Sequence, residues 1–200
     1  MTDSDTVDTY QSVAEEYRHQ NRDRSVVEHL VERFLTALED VTDERPARVA
    51  NVGCGPGWES ATFAAAGHDV VAVDLTPAFL RLAWEEAPDA DVARMDMWTL
   101  GLANDRFDGL WVCASFIHVP REDAPETLAE FHRVLRGGGV LLFSVQVGTG
   151  ERVGGPYDGD TRRFTLYRPD ELRELIETVG FEVQSLAVDD ERWVRLVARA

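Results

Sequence analysis

The chain has 200 residues, 20 of them basic and 37 acidic, for a formal net charge of −17, with 44% hydrophobic and 28% charged side chains. That length favours one domain, and the apolar fraction suffices for a packed core, which excludes a disordered polar tail. The longest apolar stretch, residues 138–147, is about half of the roughly 20 residues a membrane-spanning helix requires, so no transmembrane segment is expected.

Composition also narrows compartment and partners. The start, Met1-Thr2-Asp3-Ser4-Asp5, lacks the basic and apolar regions of a signal peptide, and a cytoplasmic location is expected. Every basic residue is Arg; Lys is absent. A GC-rich genome accounts for the missing Lys but not for the surplus of acid. Adaptation to a salty, halophilic cytosol accounts for both, because the Debye length falls to about 3 Å near 1 M salt and the self-repulsion of an acidic surface is screened. This reading implies loss of structure on dialysis to low salt. Binding to a nucleic-acid backbone needs a basic footprint, so bare nucleic acid is not an expected partner. Cys54 and Cys113 are too few for a disulfide framework, and the five histidines have no zinc-type spacing, so no metal site is expected. Nothing in the pattern specifies an oligomeric state.

In chain order, residues 26–38 place Val27, Leu30, Val31, Phe34, Leu35 and Leu38 at helical spacing behind an acidic leader. Residues 43–46 break that helix, so 1–45 reads as a helical cap on a domain filling 46–200. A short strand, 48–52, runs into Gly53-Cys54-Gly55-Pro56-Gly57 and a helix over 59–66 closed by Gly67. The unit repeats: strand 69–73, Asp74 at its end, and a helix opening at Pro77. Strands are expected at 92–95 and 107–114, a helix at 121–135 stopped by Gly137-Gly138-Gly139, and a buried strand at 140–147. This alternation predicts an α/β, Rossmann-like, doubly wound sheet. Residues 148–168 are long for a loop and read as a lid-like insertion. A helix at 169–179 and two β-like runs, 181–188 and 192–198, follow. The two runs are too close for a crossover and are expected to form an antiparallel hairpin.

The glycine-rich turn sits between a first strand and its helix, where a ligand can approach backbone without meeting a Cβ. A dinucleotide fingerprint, GxGxxG/A, requires a third small residue where this chain has Trp58, and a phosphate-binding P-loop requires a Lys that the chain lacks. Val49-Ala50-Asn51-Val52-Gly53-Cys54-Gly55-Pro56-Gly57 instead resembles motif I of the class I S-adenosylmethionine-dependent methyltransferases, of the type 11/25-like domain. Further segments resemble the same family in the correct order: Asp74-Leu75, Arg94-Met95-Asp96-Met97, Phe107 to Ala114 with Ile117-His118-Val119-Pro120, Leu135-Arg136-Gly137-Gly138-Gly139, and Tyr167 to Leu172 with Gly180-Phe181. Together they span about residues 49–200. The resemblance implies seven strands, the last antiparallel, with S-adenosyl-L-methionine as cofactor. Its site would comprise Tyr17, Asn51, Gly53, Cys54, Gly55, Gly57, Asp74, Leu75, Asp96, Met97 and Cys113. Asp74 would accept hydrogen bonds from the ribose hydroxyls, and Asp96 would meet the adenine amino group. The family usually has Asp or Glu where this chain has Asn51, so a charge-assisted contact becomes a neutral one of about half the strength.

Methyl transfer from a sulfonium is an in-line displacement for which positioning can suffice. His118, just after the fourth strand, is the candidate general base, and a capping or packing histidine is its alternative. Tyr157, Arg162 and Arg163 in the lid are candidate substrate contacts, the arginines suiting a carboxylate or phosphate. Ala114-Ser115-Phe116-Ile117 lacks the Asp/Asn-Pro-Pro-aromatic motif of nucleobase amino-methylation, and Cys113 follows Val112 where cytosine carbon-5 methylation needs a Pro-Cys pair. The resemblance therefore implies an enzyme acting on a small-molecule acceptor. A protein or RNA methyltransferase working with a partner and a non-catalytic adenosylmethionine-binding module fit the same motifs.

Overall fold

The computed structural model describes residues 4–42, 45–189 and 192–200. The extreme N-terminus, part of the break read at 43–46 and the tip of the C-terminal hairpin lie outside the described residues. Helices α1 (Ser4–Gln20) and α2 (Ser25–Thr42) precede β1 (Arg48–Val52), α3 (Trp58–Ala65), β2 (Asp69–Asp74), α4 (Pro77–Glu86), β3 (Asp91–Arg94) and β4 (Phe107–Cys113). Two 3-10 turns, Phe116–His118 and Arg121–Asp123, lead into α5 (Ala124–Val134) and β5 (Leu135–Gln146). The chain continues through β6 (Glu151–Val153), β7 (Arg163–Thr165), α6 (Pro169–Thr178), β8 (Glu182–Asp189) and β9 (Trp193–Arg199).

Seven strands form one sheet in the order β3-β2-β1-β4-β5-β9-β8. The pairs from β3 to β5 are parallel, and β9 runs antiparallel to both β5 and β8. Strand alternation explains why both faces are covered. Val49, Val70, Trp111, Val140, Leu142 and Val197 point to one face and pack with Val27, Leu30, Phe34 and Leu38 of α2 and Phe63 of α3. Their neighbours Ala50, Val52, Val71, Leu110, Val112, Leu141 and Phe143 point to the other, against Leu128 and Phe131 of α5 and Leu172 and Ile176 of α6. No helix among the described residues is long and apolar enough to cross a membrane.

Two segments differ from the sequence expectation. The helix expected over 121–135 ends at Val134, and β5 begins at Leu135 rather than Val140. Leu135 pairs with Phe107 of β4, and the glycines form a bulge before the register resumes at Gly109 and Val140. The bulge is tied to the chain end: Gly138 N–H donates to the Ala200 carbonyl at 2.7 Å, and Ala200 N–H donates to the Gly139 carbonyl at 3.0 Å. Residues 148–168 contain a small antiparallel pair, with Glu151 opposite Thr165 and Val153 opposite Arg163, standing apart from the main sheet.

Candidate active site

Strand β1 connects onward to β2 on one side and its neighbour β4 connects onward to β5 on the other, which opens a crevice at the carboxyl ends of β1 and β4. The turns after β1 and β4 touch there. Gly53 has φ +73°, and a Cβ on it would fall 2.2 Å from the Ser115 Cβ, so only glycine fits. Gly57, at φ +96°, lets α3 start against α4; its Cβ would lie 2.7 Å from the Ala83 Cα. Trp58 stacks on Tyr17 at 6.3 Å between centroids, with the Arg24 guanidinium 4.7 Å from the indole centroid.

Beside these turns is a cleft of about 680 Å³, mouth included. Val52, Leu75, Phe79, Met95 and Met97 give it apolar walls, and Asp74 supplies the one carboxylate among the described residues that line it. The Asp74 carboxylate accepts hydrogen bonds from Thr76 N–H at 2.8 Å and Gly55 N–H at 3.0 Å. Burial pushes its pKa above the ordinary value, partly offset by these backbone donors. Among the described residues no Arg lines the cleft. A ribose-binding Asp at this place serves dinucleotide and S-adenosylmethionine sites alike; its negative charge suits a nucleoside that carries two ribose hydroxyls and a positive charge. The residues present fit S-adenosylmethionine on those grounds.

Among the expected cofactor residues, Tyr17, Gly53, Gly55, Asp74, Leu75, Met97 and Cys113 line this cleft, while Asn51, Cys54, Gly57 and Asp96 do not. Asn51 shares the strand face of Val49, which points it at α3. It is buried and donates from Nδ2 to Ser60 Oγ at 2.9 Å. Cys54 packs with Ala72 and Ala83 beneath α4, and burial raises its thiol pKa well above the ordinary value. Asp96 accepts from Trp98 N–H at 3.3 Å, and its neighbours Met95 and Met97 form the wall instead. Cys113 is also pushed up by burial, to about 11, so it is a thiol and not a nucleophilic thiolate near neutral pH.

Helix α1 roofs the cleft. Tyr10, Tyr17 and Phe79 meet with centroids 5.1–5.7 Å apart, and Tyr10 lies 5.4 Å from the His118 ring. His118 Nδ1 is 2.7 Å from the Arg163 carbonyl, which can only accept, so Nδ1 carries the proton. Nε2 is then the accepting atom, and the Tyr10 hydroxyl donates to it at 3.0 Å. Burial lowers the His118 pKa to about 4 and raises that of Tyr10 to about 12, so both are neutral near pH 7. Tyr10, on one face of α1 with Tyr17, lines the cleft as well.

A second, larger cavity of about 1420 Å³, mouth included, adjoins the cleft and shares Tyr10, Tyr17, Cys113 and Ala114 with it. Of the expected substrate contacts, Tyr157 and Arg162 line this cavity and Arg163 does not. Arg162 is only 4% exposed. It makes a two-pronged pair with Asp160, at 2.9 and 2.5 Å, and its guanidinium lies 4.6 Å from the Tyr10 ring centroid and 4.8 Å from that of Tyr157. It therefore pins β7 to the roof. Arg163 pairs with Glu151 across the small sheet at 2.7 Å.

Residues 50–143 match the family model described as a methyltransferase domain. The chain is 35% identical over 107 residues to a malonyl-[acyl-carrier protein] O-methyltransferase of Pseudescherichia vulneris, a match covering 54% of this chain and 42% of that protein. It is 34% identical over 97 residues to a demethylmenaquinone methyltransferase of Renibacterium salmoninarum, covering 48% and 40%. The chain thus spans less than half the length of these relatives. Among solved structures, the Burkholderia thailandensis 1,6-didemethyltoxoflavin-N1-methyltransferase, with 1,6-didemethyltoxoflavin and S-adenosylhomocysteine bound, superimposes with TM-score 0.80 at 23% identity, covering 98% of this chain and 87% of that one.

Proposed function

We propose that this chain, whose residues 50–143 match the methyltransferase-domain model, is a class I S-adenosylmethionine-dependent enzyme that methylates a small-molecule acceptor. The observation that carries the reading is the cleft itself: one half-buried carboxylate, no cation among the described residues, and an open wall onto a larger cavity. S-adenosylmethionine supplies, when bound, a methyl carbon that the acceptor's lone pair takes while the carbon–sulfur pair stays on sulfur. The protein binds and orients. Asp74 holds the ribose, the glycine turn allows close approach, and the α1 aromatics exclude water. The acidic surface is the part of the proposal that concerns solvent, serving a salt-rich cytoplasm rather than the site.

His118 is the proposed proton acceptor, acting through Tyr10. A proton leaving the acceptor moves to the Tyr10 oxygen as the Tyr10 proton moves to Nε2. An imidazole with a pKa of about 4 is a weak base, so this arrangement suits a nucleophile whose proton is already acidic. Incubation with methyl-labelled adenosylmethionine and a panel of small acceptors tests the function: label should appear in at least one, and binding without any turnover would favour a non-catalytic module. His118→Asn, which keeps a donor for the Arg163 carbonyl and removes the acceptor, should lower kcat at least tenfold with cofactor affinity unchanged. Because the ring stays neutral above about pH 4, the wild-type kcat should carry no histidine inflection between pH 5.5 and 7.5. An inflection near 6.5 that vanishes in His118→Asn would contradict this assignment.

A further inference from the structure

The larger cavity has a charge distribution opposite to that of the whole chain. Against 37 acidic and 20 basic residues overall, its wall holds, among the described residues, five arginines, Arg24, Arg152, Arg162, Arg192 and Arg195, and no Asp or Glu. Three of these are neutralised by acids outside the wall: Arg24 by Glu59 at 2.6 Å, Arg162 by Asp160 at 2.5 Å and Arg195 by Asp189 at 2.7 Å. Arg152 donates to neutral groups, Gln146 Oε1 at 2.9 Å and the Gly154 carbonyl at 2.7 Å, and its guanidinium lies 3.9 Å from the Phe164 ring centroid. Among the described residues no carboxylate pairs with Arg152 or Arg192.

We infer that this cavity binds an anionic acceptor, a small molecule with a planar apolar body and a carboxylate handle that Arg152 and Arg192 receive. The inference rests on the methyl-transfer reading above and adds the acceptor's chemical class. Two guanidinium groups without a carboxylate partner among the described residues lose hydration when the cavity fills, and a neutral occupant returns nothing for that loss. A carboxylate returns charge-assisted hydrogen bonds, which guanidinium forks make in pairs. Tyr157, Phe164 and Trp193 line the same cavity and make part of its wall apolar, which suits a planar apolar body. The two chambers are complementary: a cationic methyl donor suits the acidic, arginine-free cleft, and an anionic acceptor suits the arginine-lined cavity. They meet at Tyr10, Cys113 and Ala114, where the accepting atom would face the donor.

Equilibrium dialysis of 2-naphthoate and 2-naphthamide against the full chain in a fixed high-salt buffer, with and without adenosylhomocysteine, tests this. The acid should bind at least tenfold more tightly than the amide. Arg152→Gln and Arg192→Gln should each weaken naphthoate binding about tenfold, as expected for one charged hydrogen bond, and leave naphthamide and adenosylhomocysteine binding unchanged. Arg173→Gln, on the exposed side of α6 where Arg173 pairs with Glu177, should change nothing. Equal binding of acid and amide, or a preference that survives both substitutions, would overturn the inference. Failure of wild-type protein to retain adenosylhomocysteine would instead sink the methyl-transfer reading, because the naphthoate preference is scored separately in protein without it.

Discussion

Replacing Asp74 with alanine is expected to weaken adenosylhomocysteine binding by about two orders of magnitude or more. The carboxylate stands at the end of β2, anchored by the N–H groups of Thr76 and Gly55, and burial gives it a raised pKa with no arginine in the cleft to relieve it. Ligand hydroxyls donating to it would make charged hydrogen bonds worth about 1.5–3 kcal/mol each. Two such bonds correspond to a factor of roughly 10² or more in affinity. Alanine also releases Gly55 N–H, which loosens the turn the ligand must approach. Asp74→Asn keeps the shape and one acceptor oxygen, so its loss should be smaller. Calorimetric titration measures both variants, with thermal melting confirming that each is folded. A change of less than fivefold in Asp74→Ala would remove this acid from the cofactor site.

A second acid predicts the opposite kind of effect. Asp108, at the amino end of β4, is fully buried and far along its strand from the crevice. It accepts from Arg45 at 2.9 and 2.5 Å and from Arg48 N–H at 2.8 Å, and it pairs with Arg136 at 2.8 Å. Burial alone would raise its pKa, but these partners overcome that and hold the carboxyl below its ordinary value. Asp108→Ala should cost about 3 kcal/mol of stability, the lower end of the range for breaking a buried pair, because Arg45 and Arg136 keep access to water. A group with a depressed folded pKa stabilises above its unfolded value and loses that contribution as pH falls through the folded one. The gap between wild type and Asp108→Ala should therefore be full at pH 6 and shrink below about pH 4. Urea unfolding at the two pH values checks this, and unchanged adenosylhomocysteine affinity in the folded variant separates Asp108 from Asp74.

What could be read from the chain was local. The strand, glycine turn and helix at 48–66 follow from one short apolar run, a turn that needs positive φ, and a helical pattern behind it, and the structure places β1 and α3 within a residue or two of those limits. The hairpin of β8 and β9 followed from a link too short for anything else. The features that escaped depend on distant partners. No local signal tells that Gly138 and Gly139 pair with Ala200, so the glycine triple reads as a helix stop rather than a bulge within β5. Strands β6 and β7 have three residues each and are held by Arg162, Asp160 and the roof, not by propensity. Asn51 reads as a ligand contact until strand parity turns it toward Ser60. The arginines behave likewise: sequence singles out Arg162 and Arg163, while folding neutralises both and leaves Arg152 and Arg192 facing the cavity.

The central claim is that the crevice between β1 and β4 accepts a cationic nucleoside and not a dinucleotide. Titration of the full chain with S-adenosylmethionine, S-adenosylhomocysteine and NAD in one high-salt buffer tests it most directly. The account predicts saturable one-to-one binding of the first two and none of the third. Binding of NAD, or no binding of either adenosyl compound, would contradict it.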